Sequence, residues 1–243
     1  MSSGKKENIP PEVYNKRIVH LNETAVACLE SIAVKFNIPH IFNNKSPLLY
    51  DSFSKMAPET IEVFNTMRLK CTWLLRHSIN VAALSLLITD LLGYSEQEKR
   101  IILSGALLHD VGKMVISESI LQKPGALTAG EIAVIRRHPL SGYHMIANSD
   151  IPSQSKLTVL QHHERLDGSG YPDQLKAQSI SDGARIVMVA DSLDAMTSYR
   201  PYKAAQSMPK ALRSIQNDGG KYDQDIISAL TQLLPKSPIS AGR

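Results

Sequence analysis

Apolar residues recur every three or four positions along much of the chain, which is the spacing of one face of an α-helix. This pattern predicts helices over residues 12–36, 48–56, 60–92 with one break, and 225–234. The apolar face of the first predicted helix consists of Val13, Ile18, Leu21, Ala25, Leu29, Ile32 and Phe36. Helical periodicity therefore extends over most of the sequence.

Residues at the predicted helix ends support the same interpretation. Ser95 with Glu98, and Thr128 with Glu131, have the spacing of a capping box, in which two side chains cap a helix N-terminus. Gly93 stands where a glycine commonly ends the preceding helix. We therefore expect new helices to begin after Ser95 and after Thr128.

Residues 184–190 are the one stretch that resembles a strand, because they are rich in β-branched and other apolar side chains. A strand needs partners, and no second convincing strand occurs in the sequence. We therefore predict a buried helix here and an all-α protein. The glycine-rich residues 167–172 are expected to form a loop.

The composition fits a protein that forms its own hydrophobic core. The chain has 243 residues, 43% of them hydrophobic, and its two cysteines exclude a disulfide framework and a cysteine-rich zinc module. The apolar residues 81–88 are soon followed by Asp90, so no window approaches the ~20 residues of a membrane span. Residues 1–11 lack the apolar segment of a signal peptide. We therefore expect a cytoplasmic protein without a membrane segment.

The charge balance restricts the expected partners. The formal net charge is +4, which suits an anionic ligand but is too small and too scattered for a nucleic-acid track. Aromatic residues make up 5% of the chain, which also argues against base-stacking surfaces. We expect no nucleic-acid polymer as a partner.

Three local patterns bring imidazole and carboxylate groups together. They are His109 beside Asp110 before a glycine, His162 beside His163 before the predicted loop, and Asp191 with Asp194 on one face of a predicted helix. Such ligands suit iron, manganese, zinc or nickel better than calcium or magnesium. A carboxylate that bridges two metals, with nitrogen ligands around each, forms a hydrolytic centre for an anionic substrate.

These residues lie in longer motifs that resemble a known family, the HD-GYP domains. Residues 109–113 read HDVGK, residues 162–172 read HHERLDGSGYP, and residues 191–203 read DSLDAMTSYRPYK. The resemblance covers about residues 69–234, and the HHExxDGxGYP string is its most specific part. An isolated His-Asp pair would be only weak support for membership of this family.

The resemblance implies an all-α fold of the HD superfamily and a bacterial signalling enzyme. The implied activity is metal-dependent hydrolysis of cyclic di-GMP to linear pGpG, with further cleavage to GMP left open. A metal-bridging hydroxide would be the nucleophile, and two divalent ions, iron or manganese, would be the cofactors.

The resemblance also implies the roles of individual residues. The implied metal ligands are His77, His109 and Asp191 at one site, His138, His162 and His163 at the other, and Asp110 between the two. Asp110, Asp191 and Lys113 would act in catalysis, with Lys113 neutralising a phosphate oxygen. The implied substrate-binding residues are Tyr171, Arg200, Lys203 and Asp194, and we expect Asp194 to orient a neighbouring ligand.

Two parts of the chain depart from the family pattern. Some members carry a third metal, held partly by a glutamate one turn before the first histidine, but Trp73 stands there in this chain. An indole cannot ligate a cation, so we predict a two-metal site.

The N-terminal residues 1–66 resemble no input module. We predict a helical regulatory or dimerisation element that binds a second copy or a protein partner, followed by the HD-GYP domain over 67–236 and a frayed tail over 237–243.

Other functions remain open at this stage. A different HD-type nucleotide phosphohydrolase is disfavoured by the complete loop motif and by the block that contains Arg200 and Lys203. A non-catalytic scaffold that binds cyclic di-GMP or a protein is the main alternative. Cyclic GMP-AMP stays open as a substrate, because no residue is identified that reads the guanine edge.

Overall fold

The computed structural model describes residues 10–36, 46–54, 58–198 and 204–234, and within these ranges the chain is helical and contains no strand. The helices are α1 (Pro11–Phe36), α2 (Ser46–Ser54), α3 (Pro58–Lys70), α4 (Thr72–Leu91), α5 (Glu96–Leu108), α6 (Glu118–Leu121), α7 (Ala129–Ile135), α8 (His138–Ile146), α9 (Ser153–Gln161), α10 (Asp182–Thr197), α11 (Met208–Gln216) and α12 (Gln224–Thr231), with short 3-10 turns at Val111–Val115 and Ala177–Ser179. The predicted all-α fold class is confirmed.

The hydrophobic core is organised around α4. This helix contacts α1, α3, α5, α10 and α12, and all of residues 77–89 are buried. The segment Trp73–Leu91 is long and apolar enough to cross a membrane by composition, so the expectation that no window approaches this length was wrong. Since 83% of that window is buried inside the protein, its apolar character is explained by its position at the centre of the core.

The predicted break in residues 60–92 lies at Cys71. α3 ends at Lys70, Cys71 is extended with φ −161°, and α4 begins at Thr72. Trp73 therefore lies in the first turn of α4, next to the break that separates the two helices.

Residues 184–190 lie within α10, so the choice of a helix over a strand is confirmed. Ser181 caps this helix, because its Oγ accepts a hydrogen bond from the N–H of Ala184. α10 contacts α4, α5, α9, α11 and α12, which cover it on several sides. The β-branched residues of this stretch therefore reflect burial on most faces of one helix.

Both predicted capping boxes are present. Ser95 Oγ accepts the N–H of Glu98 while the Glu98 carboxylate accepts the N–H of Ser95, and Thr128 and Glu131 form the same pair of bonds. Gly93 ends α4 with φ +73°, a conformation that a glycine adopts without strain.

α1 packs on α4 and shares its core. Leu21, Leu29 and Phe36 on α1 are buried in the same continuous cluster as the apolar residues of α4 and α10. The division into residues 1–66 and 67–236 stays a prediction, and the tail predicted over 237–243 lies outside the described residues.

The 3-10 turn at Val111–Val115 packs tightly against α8. A Cβ added to Gly112 would lie 1.9 Å from the carbonyl oxygen of His138 and 2.5 Å from the amide nitrogen of Gly142. Only a glycine allows this approach, which holds the first turn of α8 next to the end of α5.

Replacing Gly112 with alanine should destabilise the protein, because the added methyl group meets backbone atoms that cannot rotate away. We expect Gly112→Ala to lower the free energy of unfolding by about 1–3 kcal/mol or more. The measurement is urea denaturation in the presence of a chelator. The control is Gly130→Ala, where the nearest atom lies 4.0 Å from the new Cβ. An unchanged midpoint for Gly112→Ala would contradict the close packing of α8.

Candidate metal centre

The seven side chains predicted as metal ligands converge on one largely buried region. They form two groups, and within each group the potential ligand atoms lie within 4.8 Å of one another. The first group is Asp110, His138, His162 and His163, and the second is His77, His109 and Asp191. The structure therefore brings together every residue that the sequence analysis placed among the metal ligands.

Helix ends position three of these histidines. His109 follows the last residue of α5, His138 begins α8, and His162 follows the last residue of α9. α9 contacts both α5 and α8, so these ends meet at one place. His77 and Asp191 come instead from the interiors of α4 and α10, which pack against each other.

The same backbone contact fixes the ring orientation of three histidines. The Nδ1 atoms of His109, His138 and His162 lie 2.7, 2.7 and 2.8 Å from the carbonyl oxygen of the residue three positions earlier. A carbonyl oxygen can only accept, so each Nδ1 carries a proton and donates it. In the neutral ring Nε2 then has a free lone pair, which is the form of histidine that binds a metal.

Several buried nitrogen and oxygen atoms lie close together in this region, and two of them have no hydrogen-bond partner among the described residues. His138 Nε2 and His162 Nε2 lie 3.1 Å apart, so two lone pairs face each other. Burial lowers the pKa of both rings, which disfavours a shared proton. Within the described residues, His109 Nε2 and Asp110 Oδ1 are buried without a hydrogen bond. This donor set fits divalent metal ions, which would balance the lone pairs.

Asp110 lies between the two groups. Its Oδ1 is 3.2 Å from His138 Nε2 and 3.9 Å from His162 Nε2, whereas its Oδ2 is 3.5 Å from His77 Nε2 and 3.4 Å from His109 Nε2. Burial raises the pKa of this carboxyl, but the neighbouring positive charges outweigh burial and hold the pKa well below its usual value. A charged carboxylate with one oxygen on each side can bridge two cations.

His77 is held from both sides by aspartates. Its Nδ1 lies 2.7 Å from Asp194 Oδ2, and its Nε2 lies 3.1 Å from Asp191 Oδ1. Burial alone would lower the pKa of His77, but the two carboxylates outweigh it and raise the pKa to about 9. The second Asp194 oxygen accepts a hydrogen bond from Asn80 Nδ2 at 2.9 Å. Asp194 therefore orients His77 from behind.

Lys113 and Trp73 line one side of the region. Lys113 Nζ lies 2.6 Å from Asp110 Oδ2 and 5.9 Å from the centre of the Trp73 ring. The centre of the Trp73 ring is 6.4 Å from the centre of the His77 ring, so the indole lies beside this predicted ligand.

The glycine-rich loop covers another side. The Tyr171 ring stacks on His163 with ring centres 4.8 Å apart, and the guanidinium of Arg136 lies 5.4 Å from the Tyr171 ring centre. Burial and the carboxylates nearby raise the pKa of Tyr171, so its hydroxyl keeps its proton. The loop turns directly over the chain before it, because a Cβ on Gly170 would lie 2.4 Å from the Cα of Glu164.

Sequence reasoning gave no role to Glu164 or Asn80. The buried Glu164 carboxylate accepts the backbone N–H groups of Asp173 at 2.7 Å and Leu175 at 3.0 Å, which holds the loop in place. The one signal in the sequence is the position of Glu164 inside the loop motif, and Asn80 has no signal there. The predicted substrate residues Arg200 and Lys203 lie outside the described residues.

Comparison with known proteins identifies the family. The family model described as "HD domain" matches residues 63–226. The cyclic di-GMP phosphodiesterase response regulator RpfG of Xanthomonas campestris is 46% identical over 147 residues, which are 59% of this chain and 39% of that protein. A cyclic di-GMP phosphodiesterase of Thermotoga maritima is 40% identical over 161 residues, 65% and 44% of the two chains.

A further relative has a different named substrate. The 3′3′-cGAMP-specific phosphodiesterase 1 of Vibrio cholerae is 32% identical over 171 residues, 69% of this chain and 39% of that protein. The chain thus spans less than half the length of these curated relatives.

A solved structure supports the fold. Bd1817, a HDG"Y"P protein from Bdellovibrio bacteriovorus, superposes with a TM-score of 0.60 over 96% of this chain and 74% of its own, at 18% identity. The family match and this shared fold agree with the resemblance seen in the sequence motifs. This chain therefore belongs to the HD domain family.

Proposed function

We propose that this chain is a metal-dependent phosphodiesterase that hydrolyses cyclic di-GMP to linear pGpG in bacterial signalling. The observation that carries the proposal is the position of Asp110, with one carboxylate oxygen facing each of two histidine groups. Curated relatives named cyclic di-GMP phosphodiesterases support the reaction and the substrate.

Seven residues would hold two divalent metal ions, for which we propose iron or manganese. His77, His109 and Asp191 would hold one ion, His138, His162 and His163 the other, and Asp110 both. When bound, such ions supply Lewis acidity that activates water and stabilises negative charge on a phosphate. The indole of Trp73 beside His77 supports two ions rather than three.

The remaining groups of the site act on the substrate. Lys113 has a positive charge at 2.6 Å from Asp110 and would neutralise a phosphate oxygen that approaches the centre. Tyr171 keeps its phenolic proton, so its hydroxyl would donate a hydrogen bond to a phosphate oxygen. Asp194 would orient His77 rather than contact the substrate, and the 2.7 Å distance between Asp194 Oδ2 and His77 Nδ1 supports this role.

Arg200 and Lys203 would bind the second phosphate, the first by its forked guanidinium and the second as a point charge. The position of this motif directly after Asp191 and Asp194 in the sequence supports the role.

Cyclic GMP-AMP is a second candidate substrate, because a relative named as specific for 3′3′-cGAMP covers the same region. A cytoplasmic location and binding of a second copy or a protein partner through residues 1–66 also stay predictions.

The proposed activity predicts a defined product. Purified protein reconstituted with manganese(II), or with iron(II) under anaerobic conditions, should convert cyclic di-GMP to pGpG, measured by chromatography, with cyclic GMP-AMP tested in parallel. Asp110→Ala should lower the rate by about 10³-fold or more, because the seven ligands act as a unit. Bound metal with intact substrate would contradict the enzyme proposal and favour the non-catalytic scaffold.

The metal assignment is tested separately by metal content. We expect about two metal ions per chain in the reconstituted wild type and a loss of at least one ion in Asp110→Ala, because the variant removes an oxygen ligand from both sites. His144→Ala is the matched control, since His144 is an exposed histidine outside both groups. Three ions per chain would contradict the role given to Trp73, and full occupancy in Asp110→Ala would contradict the bridging carboxylate.

Substrate binding should depend on Arg200 and Lys203 without any change in metal content. We expect Arg200→Ala and Lys203→Ala each to raise KM for cyclic di-GMP by roughly tenfold or more, because each variant loses one charge-assisted contact with a phosphate. Steady-state kinetics combined with metal analysis checks this. An unchanged KM in both variants would show that these side chains do not bind the phosphates.

A further inference from the structure

A lysine on the N-terminal helix reaches the residues behind the candidate metal centre. Lys35 lies in the last turn of α1, and its Nζ donates hydrogen bonds to Thr197 Oγ1 and Ser198 Oγ, each at 3.2 Å. The same ammonium lies 4.0 Å from Asp194 Oδ1, and the Lys35 side chain is only 20% exposed. Lys35 lies well before the region covered by the family motifs.

The hydrogen bonds of Asp194 connect this lysine to His77. Asp194 Oδ2 accepts the Nδ1–H of His77, and Asp194 Oδ1 accepts bonds from Ser198 Oγ at 2.6 Å and Asn80 Nδ2 at 2.9 Å. Lys35 holds the Ser198 hydroxyl from the other side. A continuous chain of short polar contacts therefore runs from α1 to a predicted metal ligand.

The charge of Asp194 explains why a cation is needed there. The Asp194 side chain is 2% exposed. A histidine that binds a metal through Nε2 is neutral, so its Nδ1–H gives Asp194 a hydrogen bond but no positive charge. Ser198 and Asn80 are neutral donors as well. A buried carboxylate with only neutral partners is costly, and a nearby ammonium offsets that cost.

We propose that Lys35 is a positioning residue of the metal centre: it balances the buried charge of Asp194 and fixes the end of α10, so that Asp194 keeps His77 directed at the metal. The proposal rests on the metal-dependent function proposed above. On this proposal, α1 contributes a residue that supports the metal centre, although the family motifs do not include α1.

The alternative is that Lys35 stabilises only the fold. The Lys35 ammonium at the C-terminal end of α10 interacts favourably with the dipole of that helix. This interaction alone would stabilise the fold and leave the affinity for metal unchanged. The test therefore needs a measurement that a purely structural role of Lys35 would leave unchanged, and manganese(II) affinity is such a measurement.

The experiment measures manganese(II) binding to the full chain by isothermal titration calorimetry. We expect Lys35→Met to weaken one of the two binding events by about tenfold, the lower end of the range for residues that support a metal ligand. Lys35→Arg keeps the charge and should bind within about threefold of wild type. Lys16→Met is the control, because it removes an exposed charge from the same helix.

Turnover of cyclic di-GMP gives a second readout. The kcat of Lys35→Met should fall at limiting manganese(II) and recover at saturating manganese(II), because the variant loses affinity for metal rather than a catalytic group. Should Lys35→Met fail to fold, Lys35→Gln replaces it, since glutamine retains a hydrogen-bond donor without the charge.

The outcomes separate this proposal from the proposed function. Wild-type affinity in a folded Lys35→Met or Lys35→Gln overturns the positioning role alone, even if the variant is less stable to urea. Wild-type protein that binds manganese(II) without hydrolysis overturns the proposed activity, while the affinity measurement still decides the role of Lys35. Wild-type protein that binds no metal overturns both.

Discussion

The site depends on one electrostatic constraint, which is that lone pairs and negative charge meet in a buried space. His109, His138 and His162 give their Nδ1 protons to backbone carbonyls, and each therefore presents Nε2 to its neighbours. Asp110 adds a carboxylate in the middle of these nitrogens. Lys113 supplies positive charge beside Asp110, and bound divalent cations would satisfy the remaining lone pairs.

The helices provide this arrangement through their ends. A histidine one to three residues after a helix can bond the carbonyl three residues earlier, as His109 and His162 do after α5 and α9 and as His138 does after α7. That carbonyl lies in the last turn, where the helix itself leaves it without a partner. The bond therefore satisfies the helix terminus and fixes the ring in one step. Three helix ends used in this way need close approach of their backbones, and Gly112 provides it where a Cβ would lie 1.9 Å from the carbonyl oxygen of His138.

Much of the fold and the grouping of the seven candidate ligands could be predicted from the sequence, because both depend on local signals. Helix periodicity, the capping boxes at Ser95 and Thr128, and the HD-GYP motifs are all read within a few residues of chain. The apolar length of α4 was misjudged, because Asp90 in its last turn was taken as the end of an apolar run, although the helix is buried for most of its length. Asn80 was missed because its partner Asp194 lies 114 residues away, and Glu164 was missed because its motif position does not show that its carboxylate accepts the backbone N–H groups of the loop.

The two aspartates of α10 show how the direction of one imidazole ring separates two carboxylate roles. Asp191 and Asp194 lie three residues apart on one helix face, and the family resemblance implies a metal ligand for the first and a group that orients a neighbouring ligand for the second. In the structure Asp191 Oδ1 lies 3.1 Å from His77 Nε2, on the side of the ring that faces the other ligands, whereas Asp194 Oδ2 lies 2.7 Å from Nδ1 behind it. One carboxylate can share a cation with His77, while the other can only accept its proton. A single turn of helix thus separates a predicted ligand from the group that orients another predicted ligand, and the direction of the His77 ring determines the role of each carboxylate.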